Sequence, residues 1–250
     1  MALYHFQKKG KKKILIWQWS RKRGIKEAKE RIGDIVKDIK GLLKEKKKVR
    51  VLEVGCGYGR ALLELKKSFK DRIEIHGINK EKRWNLKLIK RYALHQKIFT
   101  KQDINQNLPK IYIADAGKKL KFPNNYFDYI YSQACVQYIA NKAFFMEEIN
   151  RILKKDGLAR LDIQPRNMEL PVELQNLFEI WDNSKRIDFI KYVKRFKNIE
   201  VINAQKINFG VIIMRKAKNF NMNLKFIKDI FLQDICDDWH PRKAIFKVKK

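Results

Sequence analysis

Val51-Leu52-Glu53-Val54-Gly55-Cys56-Gly57-Tyr58-Gly59-Arg60 joins an apolar strand to a glycine-rich turn that opens a helix. Three alternating glycines come from only 11 in the whole chain. Lacking Cβ atoms, they let a ligand reach the backbone and permit the positive φ that a sharp strand-to-helix turn requires. The spacing is E-x-G-x-G-x-G, not the dinucleotide fingerprint G-x-G-x-x-G, and the difference is chemical. A pyrophosphate seeks a helix N-terminus without a carboxylate beside it. Glu53, at the end of the strand, suits instead a nucleoside-bearing ligand with a cationic amino group.

Working outward from this turn, apolar periodicity alternates between strand and helix. Arg50 to Val54 reads as the first core strand and Ala61 to Phe69 as the following helix, with Leu62, Leu63, Leu65 and Phe69 to pack. Ile73 to Ile78 is the next strand, Lys80 to His95 a helix, Ile111 to Ala114 a short strand and Phe127 to Tyr131 another. Ala143 to Leu153 is a helix for which Gly157 offers a left-handed cap, and Leu158 to Ile163 is the next strand. Glu200 to Ala204 and Asn208 to Met214 complete the set. Such alternation predicts an α/β fold: a Rossmann-like, seven-stranded, mostly parallel sheet with helices on both faces and ligands at the carboxyl ends of the strands.

Three regions flank or interrupt this core. Residues 1–49 form a basic segment, with Lys8 to Lys13 beside Trp17 and Trp19, and then an amphipathic helix from Ile25 to Leu43 that Gly41 interrupts near its end. The tryptophans are expected to pack over the ligand end of the domain or against a partner. Within a catalytic domain spanning 50–216, residues 165–197 carry Leu174, Leu177, Phe178, Ile180 and Trp181 and read as a helical insertion over the acceptor side. Residues 217–250 are a tail with a short amphipathic helix around Leu224 and Ile227.

From Arg50 to Ile163 the segments resemble the class I S-adenosylmethionine-dependent methyltransferases, most nearly the broad group containing quinone and sterol methyltransferases. The resemblance implies S-adenosylmethionine as cofactor, held by Glu53, Gly55, Cys56, Gly57 and Gly59. The family ends its second strand on an acidic residue that binds both ribose hydroxyls; here His76-Gly77-Ile78-Asn79 places Asn79 there. An amide accepts fewer charge-assisted bonds than a carboxylate, a loss of about 1 kcal/mol. Ala114-Asp115-Ala116 matches the section in which Asp115 accepts from the adenine amine and the Ala116 N–H meets a ring nitrogen. In Tyr131 to Ile139, Ser132 and Gln133 fall on the cofactor side, and Gln137 and Tyr138 stand where the family often has a Glu-His pair. The usual imidazole is therefore missing, and Tyr138 is the candidate catalytic residue, with His240 or a water as other proton acceptors. Cys135, His76 and His95 read as structural.

Composition bounds what remains. A chain of 250 residues with 45% hydrophobic content supports one catalytic domain. No apolar run reaches the length of a membrane span and the basic N-terminus lacks an apolar signal core, so a cytoplasmic setting is expected. Cys56, Cys135 and Cys236 are widely spaced and form no C-x-x-C pair, so neither a disulfide framework nor a metal site is expected. The net charge of +31 admits a nucleic acid or an anionic membrane surface as partner through Lys8 to Lys13, Arg21 to Arg23 and Lys44 to Lys48, while the Lys, Ile and Asn excess equally fits an AT-rich codon bias. The leading expectation is methyl transfer to a small or medium metabolite. Methylation of RNA or another polyanion, and a catalytically weak regulatory subunit that binds the cofactor, are the alternatives.

Overall fold

A computed structural model describes residues 5–9, 12–16, 23–136, 139, 141–163, 179–182, 185–203 and 210–222. Of the residues in 5–16, 179–190, and at 163, 203 and 210 it describes the backbone alone. The elements are β1 (His5–Lys9), β2 (Lys12–Ile16), α1 (Ile25–Ile32), α2 (Ile35–Glu45), β3 (Val49–Val54), α3 (Arg60–Phe69), β4 (Ile73–Asn79), α4 (Leu86–His95), β5 (Lys110–Ile113), β6 (Phe127–Ser132), α5 (Lys142–Ile152), β7 (Leu153–Ile163), β8 (Glu179–Asp182), β9 (Lys185–Asp188), α6 (Phe189–Val193), β10 (Ile199–Asn203) and β11 (Gly210–Arg215).

Seven strands form one sheet in the order β10-β11-β7-β6-β3-β4-β5. The five strands from β7 to β5 run parallel, whereas β11 is antiparallel to both β7 and β10. From β3 the chain winds outward through β4 to β5, then returns to β6 on β3's other side. The strand order therefore reverses between β3 and β6, which makes their carboxyl ends the topological switch point where open α/β sheets bind ligands.

Alternation along β3 decides which face each side chain serves. Leu52 and Val54 enter a core shared with α5, through Phe145, Met146, Ile149 and Ile152. Val49 and Val51 pack on the opposite face, against Ala28 and Ile32 of α1 and Ile35 and Ile39 of α2. Glu53 continues this second face and reaches the carboxyl edge at 1% exposure.

Several elements differ from their sequence reading, each for a local reason. The expected helix from Ile25 to Leu43 is two helices: Gly33 turns left-handed with φ 93 and Asp34 caps α2 by accepting from Lys37 N, while Gly41 stays inside the helix. The helix read from Lys80 starts at Leu86, because the Asn85 carboxamide caps it by accepting from Leu88 N at 3.1 Å. Gly157 is not a left-handed cap. It lies within β7, where Phe127 faces Leu153 and Tyr129 faces Leu158, so residues 154–157 bulge from the ladder.

The insertion read as helical contains, in its described part, the antiparallel hairpin β8–β9 and then the short helix α6. The backbone register there sets Ile180 opposite Ile187. A second hairpin, β1–β2, lies in the segment read only as basic. Trp17, Trp19, Tyr138, His240 and the tail helix around Leu224 fall outside the described residues. No helix among the described residues is long and apolar enough to cross a membrane.

Candidate functional site

The glycine turn lies at the carboxyl end of β3, beside that of β6. Gly55, Gly57 and Gly59 all have positive φ, of 71, 53 and 66. At Gly55 the need is also steric, since a Cβ would collide with the Cys135 side chain. Gly55 N and Cys56 N both donate to Ile78 O, at 2.9 and 3.1 Å, which sews the turn to β4.

Asn79 completes this attachment. Its Oδ1 accepts from Gly57 N at 2.7 Å, and its Nδ2 donates to Gly57 O at 3.2 Å and to Trp84 O at 3.1 Å. The carboxamide therefore pairs with both backbone polar groups of one residue in the turn, as a neighbouring strand would. A carboxylate offers no donor and could make only one of these three bonds. The residue that departs from the family pattern is thus 4% exposed and committed to shaping the turn.

Glu53 sits beneath the turn with no access to water. Tyr131 Oη donates to its Oε2 at 3.1 Å and Gln133 Nε2 to its Oε1 at 3.4 Å. Burial nonetheless dominates and raises its pKa to about 7, against the opposing pull of the Arg23 charge and the two hydrogen bonds. On the neighbouring β7, Asp162 is fully buried. Its Oδ2 accepts from Ala134 N at 2.5 Å, and burial again raises its pKa.

Among the described residues, four buried polar atoms around this edge have no partner: Asp162 Oδ1, Gln133 Oε1, Ser132 Oγ and Arg23 Nε. Buried polar groups are ordinarily satisfied, so such a concentration marks a place built to meet a ligand. Most of these atoms accept hydrogen bonds, and a ligand with several N–H donors would satisfy them.

The loop after β5 adjoins the glycine turn. Asp115 Oδ1 accepts from Gly117 N at 2.9 Å in an Asx-type turn, while Oδ2 lies 3.8 Å from Lys80 Nζ. Ala116 is buried beside it. Ala114 N donates to Asn79 O at 3.0 Å, so this loop and the glycine turn are tied to the same residue.

The structure brings Glu53, Gly55, Cys56, Gly57, Gly59, Asn79, Ser132 and Gln133 to one edge, with Asp115 and Ala116 on the adjoining loop. Cys56 contributes backbone there; its buried side chain faces Gly77, where a Cβ would stand 2.5 Å from Cys56 Sγ. His76 is buried among Tyr112, Tyr126 and Phe127, and burial holds its pKa down at about 4, as a structural residue. Tyr131 and Asp162 are additions that the sequence did not single out, and Arg23, read only as part of a basic footprint with Arg21, joins them. Asp162 alone left a local trace, as a carboxylate near the end of an apolar strand. Among the described residues, no group of three His, Cys, Asp or Glu is placed to hold a metal ion.

A doubly wound sheet with a glycine-rich, acid-backed turn at its switch point defines a nucleoside-cofactor protein of the Rossmann-like class. Residues 52–161 match the family model described as a methyltransferase domain. No curated protein matches the chain in sequence. Distant likenesses occur among solved structures. A Pyrococcus horikoshii OT3 protein is 16% identical at TM-score 0.49, over 73% of this chain and 89% of its own. A SAM-dependent methyltransferase from Aquifex aeolicus is 18% identical at TM-score 0.48, over 79% and 97%. Another from Methanosarcina mazei is 15% identical at TM-score 0.48, over 71% and 98%.

Proposed function

We propose that the chain transfers a methyl group to a small or medium metabolite by in-line displacement. One observation chiefly supports this: the polar end of the site is enclosed, with Glu53, Ser132, Gln133 and Asp162 each at most 1% exposed. A small acceptor fits an enclosed site better than a polymer does.

S-adenosylmethionine supplies a methyl on an already activated sulfonium, so the protein's part is to align the acceptor and exclude water. In this reading Glu53 and the backbone of Gly55 and Gln133 hold the cationic methionyl end. The backbone of Cys56 and Gly57 lines the approach that Gly59 leaves open, and Asn79 keeps the turn in shape. Asp115 and Ala116 meet the adenine, and Ser132 stays on the cofactor side. Where the acceptor must lose a proton, Tyr138 remains the sequence candidate. Asp162, with Oδ1 unpartnered and its proton affinity raised, is the described group suited to take one up. A cytoplasmic setting belongs to the same proposal.

A polyanionic acceptor has one observation in its favour. The β1–β2 register pairs Lys8 with Lys13 and Lys9 with Lys12, which gathers four lysines at one end of the hairpin. The remaining footprint is smaller than the sequence suggests. Arg23 turns inward, and Lys46 Nζ bonds the buried Asp128 at 2.9 Å.

The test is labelled-methyl transfer to a fractionated metabolite pool and, in parallel, to total RNA at rising salt. Turnover with metabolites that is insensitive to salt supports the proposal. Methylated RNA with a steep loss of binding as salt rises replaces it with the polyanion reading. Tight cofactor binding with no turnover on either substrate pool replaces it with the regulatory one.

A further inference from the structure

Arg23 stands two residues ahead of α1 and reaches back over the glycine turn. Its Nη2 donates to Gly55 O at 2.8 Å and also to Gln133 O, the carbonyls that follow the ends of β3 and β6. Its Nη1 lies 3.2 Å from the point where a Cβ on Gly57 would stand, so the guanidinium covers the face that the glycines leave bare. Glu53 feels Arg23 as its foremost opposing charge. One carboxylate and two carbonyls, all acceptors, thus surround a cation.

A methionyl ammonium seeks the same environment: N–H acceptors, a nearby carboxylate and no Cβ in its path. The two cations cannot share it. The second would find the acceptor lone pairs occupied and would meet a like charge where water screens poorly. Arg23 is free to leave without unseating α1, which has anchors of its own. Ile25 N donates to Glu64 Oε2 at 2.7 Å, Arg160 Nη1 donates to Ile32 O at 3.2 Å, and Arg31 Nη1 lies 3.8 Å from Asp162 Oδ2.

We propose that Arg23 is a built-in mimic of the cofactor's ammonium, a latch that must open before the methionyl end of S-adenosylmethionine can be seated. The proposal rests on the placement of the cofactor over the glycine turn. It makes cofactor affinity a difference between two cations competing for one nest. It also holds Arg23, on the N-terminal side of α1, against the site while no cofactor is bound.

Calorimetric titration of the full chain and of its Arg23→Ala and Arg23→Gln variants tests this with two probes. S-adenosylhomocysteine carries the ammonium and carboxylate; 5′-methylthioadenosine carries neither. The expected result is about tenfold tighter S-adenosylhomocysteine binding in both variants, with methylthioadenosine unchanged, because the closed state no longer competes. Weaker S-adenosylhomocysteine binding in both variants would show that Arg23 pairs instead with the cofactor's carboxylate, and it overturns the latch, as does unchanged affinity. Hydrogen exchange on the unmodified chain gives an independent reading should either variant fold poorly. S-adenosylhomocysteine is expected to speed exchange in the segment ending at Arg23, and protection there refutes the proposal. If neither probe binds the parent chain, the cofactor placement itself falls, a result distinguishable from failure of the latch alone.

Discussion

Replacing Glu53 by Gln should make the protein more stable at pH 8 and worse at binding its cofactor. The carboxyl is fully buried, and its pKa moves from an ordinary 4.5 to about 7, chiefly through desolvation. Between those values the folded chain keeps a proton that the unfolded chain has released, so stability falls as pH rises through the window and levels off above it. At about 1.4 kcal/mol per pH unit the full effect is about 3 kcal/mol. Glu53→Gln keeps the shape and removes the titration. Its stability relative to the parent should therefore be near zero at pH 4.5 and grow to about 3 kcal/mol above pH 7. Urea unfolding of both proteins at pH 5, 6, 7 and 8 reads this directly. The same variant loses the charge that faces the cofactor's cation, and its affinity for S-adenosylhomocysteine at pH 8 should fall by about tenfold or more. A stability gap that does not change with pH would refute the reasoning. So would a parent whose advantage grows as pH rises.

Other changes probe the frame around that carboxylate. Asn79→Asp should lower stability by about 2–4 kcal/mol, since it removes the donor to Gly57 O and Trp84 O and sets a carboxylate against both; tighter cofactor binding without loss of stability would instead place Asn79 on the ribose. Gly77→Ala should cost about 1–3 kcal/mol, because the new Cβ would lie 2.5 Å from Cys56 Sγ and 2.9 Å from Ile111 Cδ1. Adding Cys56→Ala should recover part of that loss in thermal unfolding, and strict additivity would contradict the contact. Asp128→Asn should cost about 2–4 kcal/mol near neutral pH, for it leaves Lys46 and Lys154 without their shared carboxylate. Hydrogen bonds from Arg50 N and those lysines outweigh burial and hold the Asp128 pKa below 3.8, so its contribution is present above that value and is lost only as pH falls through the lower folded value. An equal loss in the variant and the parent at very low pH checks the sign.

Much of the fold was legible because it is written in short-range patterns. Strand and helix periodicities are set within a few residues, and every strand of the seven-stranded sheet except β7, which starts five residues before its reading, lies within two residues of it. The errors arose where local signals compete. Gly33 rather than Gly41 breaks the first helix, because Asp34 stands next to it to cap the second. Gly157 resembles a helix cap but serves a bulge in β7 instead. The β1–β2 and β8–β9 hairpins sit in regions whose charge or scattered apolar residues masked a period of two.

The site divides in the same way. Glu53 and the three glycines belong to one continuous segment whose spacing alone implies a cationic ligand, since backbone without Cβ and a carboxylate at a strand end are local properties. The roles of their companions depend on distances no local pattern records. Arg23 meets Gln133 from 110 residues away, Tyr131 meets Glu53 from 78, and Asn79 closes on Gly57 from 22. Sequence placed Asn79 at a strand end; only the packed turn decided that its amide faces the backbone of Gly57. The sequence by itself determined which backbone can receive a cofactor, because φ preference and side-chain size are fixed residue by residue. Tertiary structure decided how tightly that backbone is held, how strongly Glu53 keeps its proton and which cation rests beside it, because burial and electrostatics arise only when distant segments share one dry edge of the sheet.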